Sequence, residues 1–348
     1  HANLLPWARV AMRRYVECGG DGTFDLDAVV VALDTPPRPA LLALTGASNV
    51  TGWLPPLDEI IEAAHERGVA VLVDAAQLAP HRPLPAAADF LAFSGHKLYA
   101  PFGSGALVGP RRVFETGDPF LAGGGAVDLV DLDEVVWTSP PEREEAGSPN
   151  VVGAVALEAA VDALPAVGWE AVRAHDAALA ERLVLGLGAV DGVRVLGPAW
   201  SPEMAVASGG GRERLPVVSF TVEGLHHALV AARLSAEFGI AVRHGCFCAH
   251  PYVVRLLGLG SREVDAYRHE VLHGDHRRTP GAVRASAGLG TSADDVDALL
   301  EAVQALASGL PAPVPYRQDR ATGDFFPVTD QPAWRDADRE VGAACARG

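Results

Sequence analysis

The chain has 348 residues, is 49% hydrophobic and carries a net charge of -16. That length allows one or two domains around a large core, and 37 glycines and 26 prolines supply the turns of a globular enzyme rather than a fibrous or disordered chain. The acidic balance argues against nucleic acid or an anionic membrane as a partner, and no apolar run is long enough to mark a membrane span. Cys18, Cys246, Cys248 and Cys345 are too few and too unevenly spaced for a disulfide framework, so a reducing, cytoplasmic location is expected.

Apolar runs at Ala28–Leu33 and Leu41–Leu44 open the chain. Leu57, Ile60, Ile61 and Ala64 recur at helical spacing until Gly68. Val69–Val73 and Phe90–Phe93 read as buried strands, and the alternation predicts a mostly parallel sheet covered by helices. Gly103–Gly105 and Gly123–Gly125 mark tight loops. The polar turn Glu145–Asn150 precedes an alanine-rich helix, Val151–Leu164, with Ser148 as the expected cap. A helix over Val172–Leu187, a strand at Val193–Leu196 and a polar loop around Gly209–Gly211 follow. Pro216–Val222 is then predicted as a strand, Leu225–Phe238 as a helix, and Ile240–Arg243 and Val283–Ser286 as strands. A last helix, Ala293–Ala307, opens with Ser292 and Asp295 at capping-box spacing. The charged, histidine-rich stretch 257–280 reads as a surface insertion. The fold class is therefore α/β. Residues 1–165 form a large domain, 166–310 a smaller α+β domain, and 311–348 an extended tail.

The chemistry concentrates at Ser94-Gly95-His96-Lys97, just past a buried strand. Lysine there is well placed to form a Schiff base. Asp74 ends the preceding strand, with Gln77 a turn further on. An aspartate and a lysine, each at its own strand end, are what pyridoxal 5'-phosphate requires: the carboxylate keeps the pyridine nitrogen protonated and the amine carries the aldehyde. In such sheets ligands sit beyond the carboxyl ends of the strands, so Asn49, Asp74 and Ser94 are expected in one cleft.

With these motifs placed, the chain resembles the class V aminotransferase group of fold-type I pyridoxal-phosphate enzymes, and within it the group II cysteine desulfurases. The resemblance runs from His1 to about Leu310 and is carried by Ser48-Asn49-Val50, Val73 to Gln77, Phe93 to Gly105, the turn Glu145–Asn150 and Val283 to Ser286. It implies that Lys97 is the Schiff-base lysine, that Asp74 pairs the pyridine nitrogen, and that Gln77 contacts the ring hydroxyl. It further implies that Ser94 and His96 contact the phosphate and that His1 stacks on the ring. Ser148 would offer its hydroxyl to the phosphate of a neighbouring subunit, which implies a homodimer. Asn49 and Arg284 match positions that hold a substrate carboxylate, with Arg243 nearby. In the family a substantial segment precedes the equivalent of His1, so the resemblance also implies that the sequence is truncated at its N-terminus.

The stretch Val242–Pro251 resembles the desulfurase loop, and Cys248 falls on the position of its nucleophile. The implied reaction converts L-cysteine to L-alanine: Lys97 removes the α-proton and the Cys248 thiolate takes the sulfur as a persulfide, which a sulfur-acceptor protein then collects. Arg243, His244 and His250 are expected to favour the thiolate. His244, Cys246, Cys248 and His250 alternate and suggest a zinc site, but adjacent residues on one extended strand wrap poorly around a tetrahedral ion, so no metal is expected. Cys246 and Phe247 stand where the resemblance leads one to expect a more polar pair. An aminotransferase or a carbon–sulfur lyase acting on another amino acid is the alternative, and a non-catalytic scaffold is the reading from another class.

Overall fold

The computed structural model describes residues 1–200 and 213–328. Strands β1 (Leu41–Thr45), β2 (Ala70–Asp74) and β3 (Phe90–Ser94) run parallel, and β4 (Gly105–Val108) closes the sheet antiparallel to β3, in the order β1-β2-β3-β4. The register sets Thr45 beside Asp74 and Asp74 beside Ala92, so β1 and β2 end level and β3 runs two residues further, to Ser94. The run Ala28–Leu33 belongs to a helix, α1 (Leu26–Asp34). Val29 and Leu33, four residues apart, are buried, while Val31 is 65% exposed. Helix α2 (Leu57–His65) buries Ile60, Ile61, Ala63 and Ala64, and the first two contribute roughly 1.5–3 kcal/mol each by leaving water. Asp58 and Glu59 in its first turn and His65 in its last suit the helix dipole.

Further along lie a helical turn, α3 (Arg111–Phe114), and a hairpin of β5 (Val127–Val130) and β6 (Val135–Trp137). The hairpin turn is made by Asp131, whose carboxylate accepts from the amides of Asp133 and Glu134 at 2.8 Å each. Helix α4 (Val151–Val167) is capped by Asn150 rather than by Ser148: the Asn150 amide oxygen accepts from Gly153 N at 3.0 Å, and its nitrogen donates to Gly103 O at 2.9 Å. Asparagine is as good a cap as serine and stands directly before the first helical residue.

The chain divides into two compact units. Among the described residues the first comprises 1–19, 23–178 and 213–215, and the second 20–22, 179–200 and 216–328; α5 (Trp169–Gly188) is divided between them. The first unit holds a buried charge network. Asp176, fully buried, accepts from Arg82 at 2.6 Å and contacts His81 Nδ1 at 3.1 Å, and Arg82 Nε donates to Glu213 at 2.7 Å.

The second unit is built on an antiparallel sheet, β7 (Val193–Leu196), β8 (Val217–Val222), β10 (Ala282–Ser286) and β9 (Arg243–Gly245), in that order. Phe220, Val283, Leu234 and Val303 form the centre of its core, together with Leu187 and Leu306. Helix α6 (His227–Phe238) starts two residues later than predicted because His226 caps it, its Nδ1 accepting from Ala228 N at 3.2 Å. β9 begins at Arg243, three residues beyond the predicted start, since only there does the chain pair with β10. Helices α7 (His250–Leu257) and α8 (Ser261–Leu272) follow, so the expected surface insertion contains a regular helix with no buried residue. Helix α9 (Ala293–Ala307) has the predicted box: Ser292 Oγ accepts from Asp295 N at 3.2 Å, and Asp295 accepts from Ser292 N at 2.8 Å.

The region after Leu310 is not wholly an extended tail. β11 (Tyr316–Gln318) and β12 (Phe325–Pro327) form a hairpin held by Tyr316 Oη donating to Glu237 at 3.0 Å and His276 N donating to Arg320 O at 2.9 Å. The predicted loop at Gly209–Gly211 and the end of the tail, 329–348, lie outside the described residues.

Candidate active site

In the first unit the candidate residues gather at the carboxyl ends of β1, β2 and β3. Asp74 is the last residue of β2, and its backbone is fixed on both sides: Gly46 N donates to Asp74 O at 2.8 Å, and Ala75 N to Ala92 O at 2.8 Å. Its carboxylate accepts from Ala76 N at 3.1 Å, which orients the half-buried side chain. Gln77 is half-buried in the turn that follows. Ser94 ends β3 and leads into a tight helical turn, Gly95–Lys97. Gly95 anchors that turn by donating to Ser104 O at 2.8 Å and accepting from Leu98 and Ala100 at 2.9 Å each. A Cβ at position 95 would collide with the Ser104 hydroxyl and crowd its carbonyl oxygen, so any larger residue has to displace Ser104. Leu98 and Ala100 point into the core, which leaves His96, Lys97 and Tyr99 exposed. His96 stacks on Phe102 with centroids 5.2 Å apart.

Asn49 is half-buried beyond the end of β1, in a loop knit by Ser48, whose hydroxyl accepts from Val50 and Thr51 at 3.3 and 3.1 Å. His1 is half-buried, and its carbonyl accepts from Leu4 and Leu5 at 3.1 and 2.9 Å. Ser148 is exposed, one residue after Gly147, whose amide donates to Gly124 O at 2.7 Å.

In the second unit, β9 delivers the cysteine loop. Arg243 pairs in register with Arg284, His244 with Val283, and Gly245 with Ala282. Gly245 at φ +100° breaks the strand, and Phe247 and Cys248 then adopt φ of +51° and +58°. Two successive non-glycine residues in the left-handed region are costly, and such backbone collects at functional sites. The turn is held underneath by Cys246, whose thiol donates to Pro280 O at 3.1 Å, and by Ala249 N donating to Cys246 O at 2.7 Å.

The two thiols differ sharply. Burial pushes Cys246 up to about 11, whereas Cys248 is exposed. His244 and His250 are both held below the ordinary imidazole range, chiefly by burial, and are neutral at neutral pH. Both are thereby less cationic than an ordinary histidine, and the permanent cations of the loop's surroundings are arginines. Arg284 lies within electrostatic reach of Cys248, and burial, reinforced by Arg243, draws its guanidinium below the usual range. Its guanidinium carbon sits 5.1 Å from the centre of the Phe247 ring. The Arg284–Cys248 pairing and the role of Phe247 escaped the sequence reading, because neither is visible before β9 and β10 are placed in register. Among the described residues no histidine, cysteine and carboxylate cluster fits a metal ion.

A mixed sheet carrying an aspartate and a lysine at adjacent strand ends, with a second antiparallel domain bearing an exposed cysteine, is the architecture of fold-type I pyridoxal-phosphate enzymes. The family model "Aminotransferase class-V" matches residues 1–299, and the chain belongs to that family. It is 38% identical over 259 residues to a probable cysteine desulfurase of Xylella fastidiosa, covering 72% of this chain and 59% of that protein. It is 35% identical over 313 residues to a probable cysteine desulfurase of Halobacterium salinarum, covering 87% and 66%. The structure matches the apo cysteine desulfurase of Thermococcus onnurineus with a TM-score of 0.73 at 32% identity, covering 89% of this chain and 70% of that one. It matches the cysteine desulfurase CsdA of Escherichia coli, in its S-sulfonic acid form, with a TM-score of 0.72 at 33% identity, covering 90% and 70%. The chain thus spans about three fifths of the length of the first of these curated relatives.

Proposed function

We propose that this chain is the catalytic portion of a pyridoxal-phosphate-dependent cysteine desulfurase, converting L-cysteine to L-alanine and leaving a persulfide on Cys248. The observation that carries the reading is the exposed Cys248 thiol, raised on a left-handed turn within electrostatic reach of Arg284. The residues at the strand ends fit the cofactor: an oriented carboxylate at Asp74 and an exposed amine at Lys97 are the donor set its ring nitrogen and aldehyde need. Gln77 would meet the ring hydroxyl, Ser94 and His96 the phosphate, and His1 the ring face, while Ser148 serves the phosphate of a second subunit. Pyridoxal phosphate, when bound, supplies an electron sink for the carbon next to the amino group.

The chain's own residues do the rest. Arg284 and Asn49 hold the substrate carboxylate, with Arg243 adding positive charge. Lys97 Nζ, in its neutral form, takes the α-proton. Cys248 Sγ, as thiolate, forms a bond to the substrate sulfur while the carbon–sulfur bond breaks, so the sulfur leaves with Cys248 and a proton must reach the product's β-carbon.

Exposed apolar side chains of the first unit, among them Phe120 at 92% and Leu132 at 102%, support a homodimer. A sulfur-acceptor protein is the expected partner for the persulfide. No single described helix is long and apolar enough to cross a membrane. The cytoplasm is the location proposed from the few, unevenly spaced cysteines. Cys248→Ala tests the reading. Loss of sulfide release from L-cysteine, with cofactor still bound, supports it, whereas undiminished turnover moves the assignment to an aminotransferase or a carbon–sulfur lyase on another amino acid.

A further inference from the structure

Phe247 stands where a more polar residue was expected, and the structure gives it a contact. Phe247 is 8% exposed, and the Arg284 guanidinium carbon lies 5.1 Å from its ring centre. Arg284 gains from such a contact. It sits on β10 in register with Arg243 on β9, so a like charge is its cross-strand neighbour. The face of an aromatic ring is negative and offers a planar cation attraction without competing for its N–H donors. A carboxylate partner in the same place would also stabilise the guanidinium, but it would occupy the fork that a substrate carboxylate must enter.

The ring is not free to drift. Phe247 is held at φ +51° between the Cys246 thiol, anchored on Pro280 O at 3.1 Å, and Cys248 at φ +58°. Any rotation of the Phe247 backbone therefore moves Cys248 as well. Behind the turn, Gly281 packs directly on Gly245: a Cβ at 281 would lie 2.6 Å from Gly245 Cα. The turn is thus backed by main chain and cannot relax in that direction.

We propose that Phe247 is a positioning residue that orients Arg284 for a substrate carboxylate through its ring face and couples that orientation to the placement of Cys248. This rests on the desulfurase reading for the identity of the carboxylate, but the ring–guanidinium contact itself does not. The class of substrate it favours is an α-amino acid, whose carboxylate would meet the guanidinium that the ring holds.

Two measurements separate the claims. In the nitrogen–proton NMR spectrum of the full chain, the Arg284 Nε–H signal, assigned with Arg284→Lys, is expected to show an aromatic ring-current shift. That shift disappears in Phe247→Leu and survives in Phe247→Tyr, and no turnover is needed to see it. In steady-state assays with L-cysteine, Phe247→Leu is expected to raise KM about 3- to 10-fold with a smaller change in kcat, and Phe247→Tyr to restore it. An Arg284 signal indifferent to Phe247→Leu overturns the proposal. So does a Phe247→Leu variant that loses kcat at unchanged KM. If the wild type shows the ring-current shift but makes no sulfide, the desulfurase reading fails while the contact stands.

Discussion

The two cysteines of one short loop should react at very different rates. Cys246 is 7% exposed, its thiol donates to the Pro280 carbonyl, and burial raises its pKa from 9.0 to about 11. Two units correspond to about 100-fold less thiolate than an ordinary thiol at any pH below 9. Alkylation proceeds through the thiolate, so that factor passes directly into the rate, and restricted access lowers it further. Cys248 is exposed on the same loop. Treating the chain with a small excess of iodoacetamide at pH 8 and mapping peptides by mass over time should show Cys248 consumed first. Cys246 should lag by well over tenfold. In Cys248→Ser the lag of Cys246 should persist, because it arises from its own burial. Modification of Cys246 within tenfold of Cys248 would refute the assignment of one thiol to the chemistry and the other to the scaffold.

Three further outcomes follow from the same geometry. Asp176→Asn should destabilise the first unit by about 1.5–3 kcal/mol in urea unfolding, because it removes the fully buried anion shared by Arg82 and His81 and leaves Arg82 paired with Glu213 alone; a change below 1 kcal/mol contradicts the network's role. His227 donates from Nε2 to Thr279 O at 2.9 Å and is pushed down to about 3 by burial, whereas unfolded it titrates near 6.5. The unfolded state therefore binds the extra proton, and stability contributed by neutral His227 is lost as pH falls from 6.5 toward 3, amounting to about 2 kcal/mol by pH 5; acid unfolding of His227→Gln should be correspondingly flatter. Gly281→Ala drives a Cβ against Gly245 and should lower turnover about 10- to 100-fold while circular dichroism stays unchanged; full activity would show that the loop tolerates displacement.

The parallel core of the first sheet was readable because its strands are continuous apolar runs ending in polar residues, as at Val71-Leu72-Val73-Asp74. Asp74, Ser94 and Lys97 could be placed for the same reason: each follows directly on such a run. β4 and the β5–β6 hairpin were not readable. Gly105–Val108 is four residues on an edge, with no period to mark it, and Val127–Trp137 is mostly exposed. The terminal hairpin was hidden by prolines that read as disorder, although Tyr316 and Phe325 supply the anchors. In the cysteine loop Arg243, His244 and His250 are read as favouring the thiolate from proximity in sequence alone. Burial lowers both histidines, while Arg284, 36 residues beyond Cys248 in sequence and brought beside Arg243 by the pairing of β9 and β10, lies within electrostatic reach of that cysteine.

The most direct test of the central claim is an absorbance spectrum of the purified chain with pyridoxal phosphate, followed by addition of L-cysteine and assay of sulfide and alanine. The account predicts a visible band from bound cofactor that is absent in Lys97→Ala, and equal amounts of both products. A chain that binds no cofactor under these conditions, or that binds it and forms neither product, would contradict it.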